Sequence, residues 1–387
     1  MRRIRILQII AGLDIGRTFG GAERIGIELA CHLDYSEFEP TVCSFWQMGS
    51  RAESRWAQLL DEHRVPMFYA THRDEQRDSA DYFKGVRRII RWCAQNKVDI
   101  IHAHHEGGAL AGGIAKLRGG ASAVVRTAHT PLELEWGRGW KGFALRASFS
   151  HLVFPLLLDA ELAVSREYCA KLQRRIVARL AGKRPRLVYS AIPRNSAPTS
   201  PDSVRIARRP PVIGSIGRLT HQKGHRYLID AMPQVLAVEP EAQLWLIGEG
   251  ELRAALQQQA RARGVESQVC FLGLRDDIPD LLNRMNVFVL PSVWEGIPVV
   301  LLESIAAGVP VIASDLPGNR ELIEHCRSGW LTPPGDTASL SASIIEALQN
   351  PQRAAAYARE AQKILPQFSI AAMVERHQTL YRSLIQV

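Results

Sequence analysis

An α/β protein of two Rossmann-like, doubly wound domains in series is predicted by three features of this sequence. Apolar runs of strand length alternate with helix-period segments, a polar proline-rich stretch interrupts the alternation, and the alternation then restarts. In order, the first set of runs reads RIRILQII, PTVCSF, VPMFYA, VDIIHAH, AVVRTAH, AELAVS and RLVYSAI. Each is followed by a segment with helical periodicity, the signature of a mostly parallel sheet covered on both faces. The interruption carries Pro193, Asn195, Pro198, Pro201, Arg208 and Pro211 and has the composition of a linker. The second set reads VIGSIGRL, AQLWLIGEG, QVCFLG, NVFVLPS, PVIASD and GWLTPP. The expected boundaries are a first domain over residues 1–193, a linker over 194–211, and a second domain over 212–368. A last helix within 369–387 is expected to return to the first domain.

With 387 residues, 46% of them apolar and 22% charged, the chain has material for two buried cores. Cys31, Cys43, Cys93, Cys169, Cys270 and Cys326 are scattered without a C-x-x-C pair, as expected for reduced thiols in a cytoplasmic protein. The basic start MRRIRILQII is like that of a signal peptide. Its apolar part is short, however, and Gly12, Asp14 and Gly16 follow with no small-residue cleavage site, so it reads as the first buried strand. No run reaches the roughly 18 apolar residues of a membrane span, and the nearest, His151 to Leu158, is interrupted by Pro155.

Net charge is +9, distributed unevenly: 33 basic against 21 acidic residues up to Arg209, then 15 against 18. The excess peaks at Arg166, Lys171, Arg174, Arg175, Arg179, Lys183, Arg184 and Arg186, read as a basic helix, beside Trp136, Trp140, Phe143, Phe149 and Phe154. That combination suits an anionic membrane surface, and equally a solvated helix face. No nucleic-acid-binding module is visible and the charge is confined to one half, which argues against nucleic acid as a partner.

Doubly wound sheets bind ligands beyond the carboxyl ends of their strands, and those positions are rich in polar residues and glycine here. If the two edges faced each other they would enclose a cleft. Gly20 and Gly21 open a helix, where free amides and the helix dipole favour phosphate, though a glycine pair before a helix also marks a plain tight turn. In GRLTHQKG, Gly217 and Arg218 follow a strand and Lys223 precedes Gly224; two cations at that spacing can neutralise a diphosphate without a metal. No Asp-x-Asp occurs, so no metal site is expected. In EGIPVVLLE, Glu295 lies in a loop and Glu303 about two turns into the next helix, with Gly296 and Pro298 at the helix start. His129 ends a strand, while His102, His104 and His105 alternate across another, which suits structural or acceptor-lining roles better than a metal cluster. Glu106 and Glu133 are nucleophile candidates only by their proximity to strand ends.

Together GRLTHQKG, EGIPVVLLESIAAGVPVIASDLPGNREL and FGGAER resemble the family 4 glycosyltransferases with the GT-B fold, over essentially the whole chain and most strongly from Ile213 to Pro334. The resemblance implies transfer from a nucleotide diphosphate sugar, as co-substrate and without cofactor or required metal, with retention of anomeric configuration. It implies that Arg218 and Lys223 hold the diphosphate, Glu303 the ribose, and Glu295 with the amides around Gly296, Ile297 and Pro298 the sugar. Leu272 and Gly273 would contact the base through their backbone, Gly21 would approach the diphosphate, and His129 would reach the sugar. Ile297-Pro298 departs from the usual Phe-Gly, and Tyr189 to Pro193 from the usual Asn-Gly, which leaves the sugar and the hinge contact unspecified. The expected partners are a nucleotide sugar, a glycan or lipid-linked acceptor and an anionic membrane surface, with the protein cytoplasmic and peripheral on the inner face of the membrane. A non-catalytic or epimerase-type sugar-nucleotide-binding protein on the same scaffold is the alternative.

Overall fold

The computed structural model describes residues 2–15, 20–72, 79–129, 147–192, 200–202 and 206–385. The chain divides into two compact units, Met1–Ala191 with Ile370–Val387, and Ile192–Ser369. In the first unit, strands β1 (Ile4–Gly12), β2 (Phe38–Gln47), β3 (Met67–His72), β4 (Val98–Ala103), β5 (Ala121–Ala128), β6 (Ala160–Ala163) and β7 (Arg186–Leu187) form one sheet. Every pairing is parallel and the order is β3-β2-β1-β4-β5-β6-β7. Helices α1 (Gly21–His32), α2 (Arg51–Glu62), α3 (Ser79–Asn96) and α4 (Glu106–Leu117) connect the first five strands. Three short helices, α5 (Phe154–Leu157), α6 (Arg166–Gln173) and α7 (Ile176–Leu180), accompany β6 and β7. Central β1 is apolar at Ile4, Ile6, Leu7, Ile9 and Ile10 because both faces are covered, and Leu7, Ile9 and Ile10 are fully buried.

The second unit carries β8 (Val212–Ile216), β9 (Gln243–Ile247), β10 (Val269–Gly273), β11 (Val287–Leu290), β12 (Val311–Ser314) and β13 (Trp330–Thr332), again all parallel, in the order β10-β9-β8-β11-β12-β13. Its helices are α8 (His225–Val238), α9 (Arg253–Ala262), α10 (Ile278–Arg284), α11 (Val299–Ala306), α12 (Pro317–Arg320), α13 (Thr337–Gln349) and α14 (Pro351–Gln362). One core of Ile213, Leu244, Leu246, Val287, Val289 and Ile312 from the strands with Leu228, Met232, Leu340 and Ile344 from α8 and α13 holds it together. The last helix, α15 (Ile370–Ile385), lies in the first unit, where Met373, Val374, Leu380 and Tyr381 join Ile6, Leu29, Phe38 and Val125. Burial of such side chains stabilises by about 1.5–3 kcal/mol each, enough to hold a 16-residue helix on the sheet.

The structure departs from the sequence reading in the basic region. Arg166 to Arg186 is not one helix: α6 ends, Arg175 takes an extended backbone, and α7 follows. Arg175 is turned inward, 3% exposed, where its guanidinium pairs with Glu161 and donates to the Ser150 carbonyl at 2.5 Å. Such a buried cation is tenable only when paired, so it contributes nothing to a surface charge. Phe154 is also fully buried, with the Arg126 guanidinium 4.5 Å from its ring centre. Phe19, Glu133, Trp136, Trp140, Phe143 and much of the proline-rich stretch lie outside the described residues. Of that stretch, Ile206 is buried in the second unit's core, and the Asn286 amide donates to the carbonyls of Ile206 and Arg208 at 2.5 and 2.8 Å.

Candidate active site

In each unit the strand order reverses beside the first strand, and the two loops that leave such a switch point diverge to open a crevice. In the second unit the switch lies between β8 and β11. GRLTHQKG leaves β8 and PSVWEGIP leaves β11, so motifs about 70 residues apart meet by topology. They are stitched together. Val293 N–H donates to the Gln222 carbonyl at 2.8 Å, the Gln222 amide donates to the Trp294 carbonyl at 3.2 Å, and His221 packs on Trp294. Gly224 has φ +66°, and a Cβ there would lie 2.0 Å from the Pro291 carbonyl oxygen, so only glycine lets the two loops close.

Lys223 Nζ donates to Glu295 Oε1 at 2.6 Å, and Ser292 Oγ donates to the same oxygen at 2.7 Å. The Glu295 side chain is only 6% exposed and Lys223 is its counter-charge, while Oε2 has no partner among the described residues. Gly217 lies under Lys223, whose methylenes pass 3.2 Å from where a Cβ would sit. Arg218 is half-buried and its guanidinium has no partner among the described residues. A cation held near a crevice without a counter-ion suits an incoming diphosphate.

Beyond Gly296, Ile297 and Pro298 are buried and α11 begins at Val299. Proline has no N–H, so Pro298 cannot supply an amide as the sequence reading had it. The donors at this end are Val299 and Val300, the first to lack intrahelical acceptors. Glu303 is the fifth residue of α11, little more than one turn from its start rather than two, and is half-buried. At the sheet edge the register of β10 against β9 slips between Phe271 and Gly273, which takes Leu272 out of the ladder. Leu272 is thereby left without a register partner beside Gly273, whose own carbonyl accepts from Gly248 N–H at 2.8 Å.

One contributor carried no role in the sequence reading. Gly318, in α12, sits so close to the Glu295 loop that a Cβ would fall 1.5 Å from the Gly296 carbonyl oxygen. Asn319 is fully buried; its amide donates to the Ser314 carbonyl at 2.8 Å, and its Oδ1 is unpartnered among the described residues. The signal available was LPGN directly after a strand, where a turn residue and a helix start coincide.

In the first unit the switch lies between β1 and β4. Gly20 N–H donates to Glu23 Oε2 at 3.0 Å, so that amide is already engaged and a carboxylate stands at the α1 terminus. The donors left without intrahelical acceptors are Gly21 and Ala22. His102 and His104, two residues apart on β4 and the loop after it, share one face with ring centres 4.4 Å apart. His105 points elsewhere and caps α4, its Nδ1 accepting from Gly108 N–H at 3.2 Å.

A buried chain sets the tautomers. Gln8 Nε2 donates to Tyr381 Oη at 3.0 Å, Tyr381 lies 2.6 Å from His102 Nδ1, and His102 Nε2 lies 2.7 Å from Thr127 Oγ1. Gln8 Oε1, 2.9 Å from His104 Nε2, can only accept, so His104 carries its proton on Nε2. His104 Nδ1 must then accept from His129 Nε2 at 3.3 Å, which leaves His129 Nδ1 as an acceptor. Burial pulls His129 down to about 4, so that acceptor is present throughout the neutral range. Glu106 begins α4 and pairs with Arg126 at 2.6 Å. Burial pushes its carboxyl up, the guanidinium outweighs that, and the net pKa is below the ordinary value. A carboxylate pinned this way is poorly suited to act as a nucleophile. Among the described residues no three His, Cys, Asp or Glu side chains come together as a metal set.

The profile for glycosyltransferase family 4 matches residues 19–213, and that for glycosyl transferases group 1 matches residues 196–364. Over 316 residues the chain is 25% identical to the Escherichia coli UDP-Gal:alpha-D-GlcNAc-diphosphoundecaprenol alpha-1,3-galactosyltransferase, covering 78% of this chain and 80% of that one. It is 27% identical over 269 residues to the phosphatidyl-myo-inositol mannosyltransferase of Mycobacterium leprae, covering 68% and 67%. The crystal structure of Anabaena HepE in complex with UDP and glucose superposes with a TM-score of 0.79 at 24% identity, covering 98% of this chain and all of that one.

Proposed function

The chain belongs to glycosyltransferase family 4, and we propose that it moves a hexose, with retention, from a nucleotide diphosphate sugar to a glycan or lipid-linked acceptor in surface polysaccharide or glycolipid synthesis. One observation carries the donor reading: at the second unit's switch point Lys223, from the loop after β8, pairs with the buried Glu295, from the loop that leads into α11, and Arg218 lies in the same loop as Lys223. Cations and amides of this kind take up a diphosphate, and the carboxylate oxygen suits a sugar hydroxyl. The relatives' names support the rest of the reading. One is named for UDP-Gal and a diphosphoundecaprenol acceptor, the other for a phosphatidyl-myo-inositol, which favours a uridine diphosphate hexose and an acceptor on a lipid.

In the proposed step the bond from the anomeric carbon to the diphosphate oxygen breaks, and the acceptor oxygen bonds to that carbon on the same face. The acceptor proton passes to the departing diphosphate, and Arg218 and Lys223 stabilise the charge that grows there. Lys223 must exchange Glu295 for phosphate as the donor arrives, which leaves Oε1 with Ser292 alone and Oε2 open to the sugar. His129 offers Nδ1 to a hydroxyl as a neutral acceptor.

The reading is tested by incubating the protein with a panel of uridine and guanosine diphosphate sugars, with and without chelator, and following release of nucleoside diphosphate. Release from one donor, unchanged by chelator, is the expected result. No release from any donor supports the non-catalytic alternative, and complete loss on chelation overturns the metal-free site.

The two carboxylates are expected to divide their work. Glu303→Gln weakens free nucleoside diphosphate and intact donor alike, because the ribose is common to both. Glu295→Gln weakens the intact donor about tenfold or more, the scale of one charged hydrogen bond, and the bare nucleotide little. Calorimetry with both ligands decides, and equal losses in both variants remove the division.

A further inference from the structure

We infer that the face formed by α5, α7 and the π-helical turn Phe149–Val153 docks this protein on an anionic lipid bilayer. It extends the lipid-borne acceptor in the proposed function to a surface on the molecule, but it stands on separate observations. Four large apolar side chains on this face are solvent-exposed: Leu152 at 51%, Leu156 at 66%, Ile176 at 72% and Leu180 at 83%. They fall in two pairs spaced four residues apart, Leu152 with Leu156 and Ile176 with Leu180, so each pair lies along one side of its helical segment. Beneath them Phe154, Pro155 and Ala178 are buried, so the exposed leucines are the outer surface of a packed substructure rather than a fragment of core left bare.

The substructure is fastened at three points. Arg175 donates to the Ser150 carbonyl at 2.5 Å, and Lys183 donates to the carbonyls of Leu156, at 3.3 Å, and Leu158. These bonds tie the chain on either side of α7 to the π-helical turn and α5, so the segments that carry the two apolar pairs are held side by side. A soluble surface seldom carries four such residues together without an occupant.

Charge selects the occupant. Residues 147–158 and 168–187 contain no Asp or Glu at all. Arg174, Arg179 and Arg184 are exposed within them, and among the described residues none of the three is in an ion pair. A second copy meeting this face about a two-fold axis would set these arginines against their own equivalents and pay for it in repulsion. Anionic headgroups meet the same arginines with opposite charge while the leucines enter the acyl boundary, the arrangement of an interfacial amphipathic surface.

The test is co-sedimentation of the full chain with phosphatidylcholine vesicles, with and without phosphatidylglycerol, at low and high salt. Binding is expected only with the anionic lipid and is expected to fall about tenfold or more at high salt. Ile176→Gln/Leu180→Gln should lower binding about tenfold per apolar group removed. Arg174→Glu/Arg179→Glu/Arg184→Glu should abolish it, and all five positions are exposed, so both variants keep the wild-type melting temperature. Release of nucleoside diphosphate in vesicle-free buffer should be unchanged in both, which separates failure of the lipid face from failure of the transferase reading. Absence of binding to anionic vesicles at low salt, or binding unchanged in both variants, overturns the proposal. So does a monomer–dimer equilibrium in sedimentation velocity that Ile176→Gln/Leu180→Gln removes, since the face would then be an interface between copies.

Discussion

Arg218→Ala is expected to lower turnover about 100-fold or more while leaving thermal unfolding unchanged, because the lost interaction is with charge that appears on the departing diphosphate. The fold should not notice, since this guanidinium has no partner among the described residues. Lys223→Ala is expected to lose as much activity, but with a stability cost the sequence did not suggest. The Glu295 carboxylate it pairs with is 6% exposed, and a buried charge that loses its partner costs about 3–5 kcal/mol. Lys223→Met/Glu295→Gln removes both charges, so it should recover the melting temperature without recovering turnover. Release of nucleoside diphosphate and thermal melts on the three variants check this. Wild-type turnover in Arg218→Ala would remove the diphosphate assignment, and a melting temperature unmoved in Lys223→Ala would show that the ion pair is not a structural element.

The first unit is expected to unfold in mildly acid solution. Burial pulls His105, His129 and His377 down to about 4 and holds His102 and His104 well below their ordinary value, and all five belong to this unit. Unfolded, each titrates near 6.5. Between that value and the folded one the unfolded chain binds more protons than the native state, so stability rises with pH there and falls on acidification. It is complete above about pH 6.5 and is progressively lost toward about pH 4. One pH unit below 6.5 the group as a whole therefore weakens the first unit by on the order of a few kcal/mol, a sizeable part of the roughly 5–15 kcal/mol that holds a domain folded. Among the described residues the second unit has one comparable histidine, His225, pulled to about 3 by burial first and by Lys223 second. Two transitions should therefore separate in thermal melts as the pH is lowered from 7.5 to 5.5, the first unit's falling further, by on the order of 10 °C. His377 Nε2 has no partner among the described residues, so His377→Leu should flatten that dependence by one group. Melts that coincide and do not move down to pH 5 would overturn it.

By itself the sequence determined the layered architecture and the two motifs proposed to hold the donor. A buried parallel strand needs a mostly apolar run, as in IRILQII with its Ile4, Ile6, Leu7, Ile9 and Ile10, so the strands announce themselves locally, and strand ends in such sheets are where ligands bind. GRLTHQKG and EGIPVVLLE were visible because each packs its polar residues into one loop or the first turn of one helix. Pairings between distant residues were decided only in three dimensions. No local rule links Lys223 to Glu295, Gly318 to the Gly296 carbonyl, or Gln8 through His104 to His129, because strand order, not sequence spacing, brings them into contact. The same holds for charge. Arg174 and Arg175 are adjacent and identical in the sequence, yet the first faces solvent, and the second is buried on Glu161 because the chain bends between α6 and α7 and the interior supplies a carboxylate and a carbonyl to meet it.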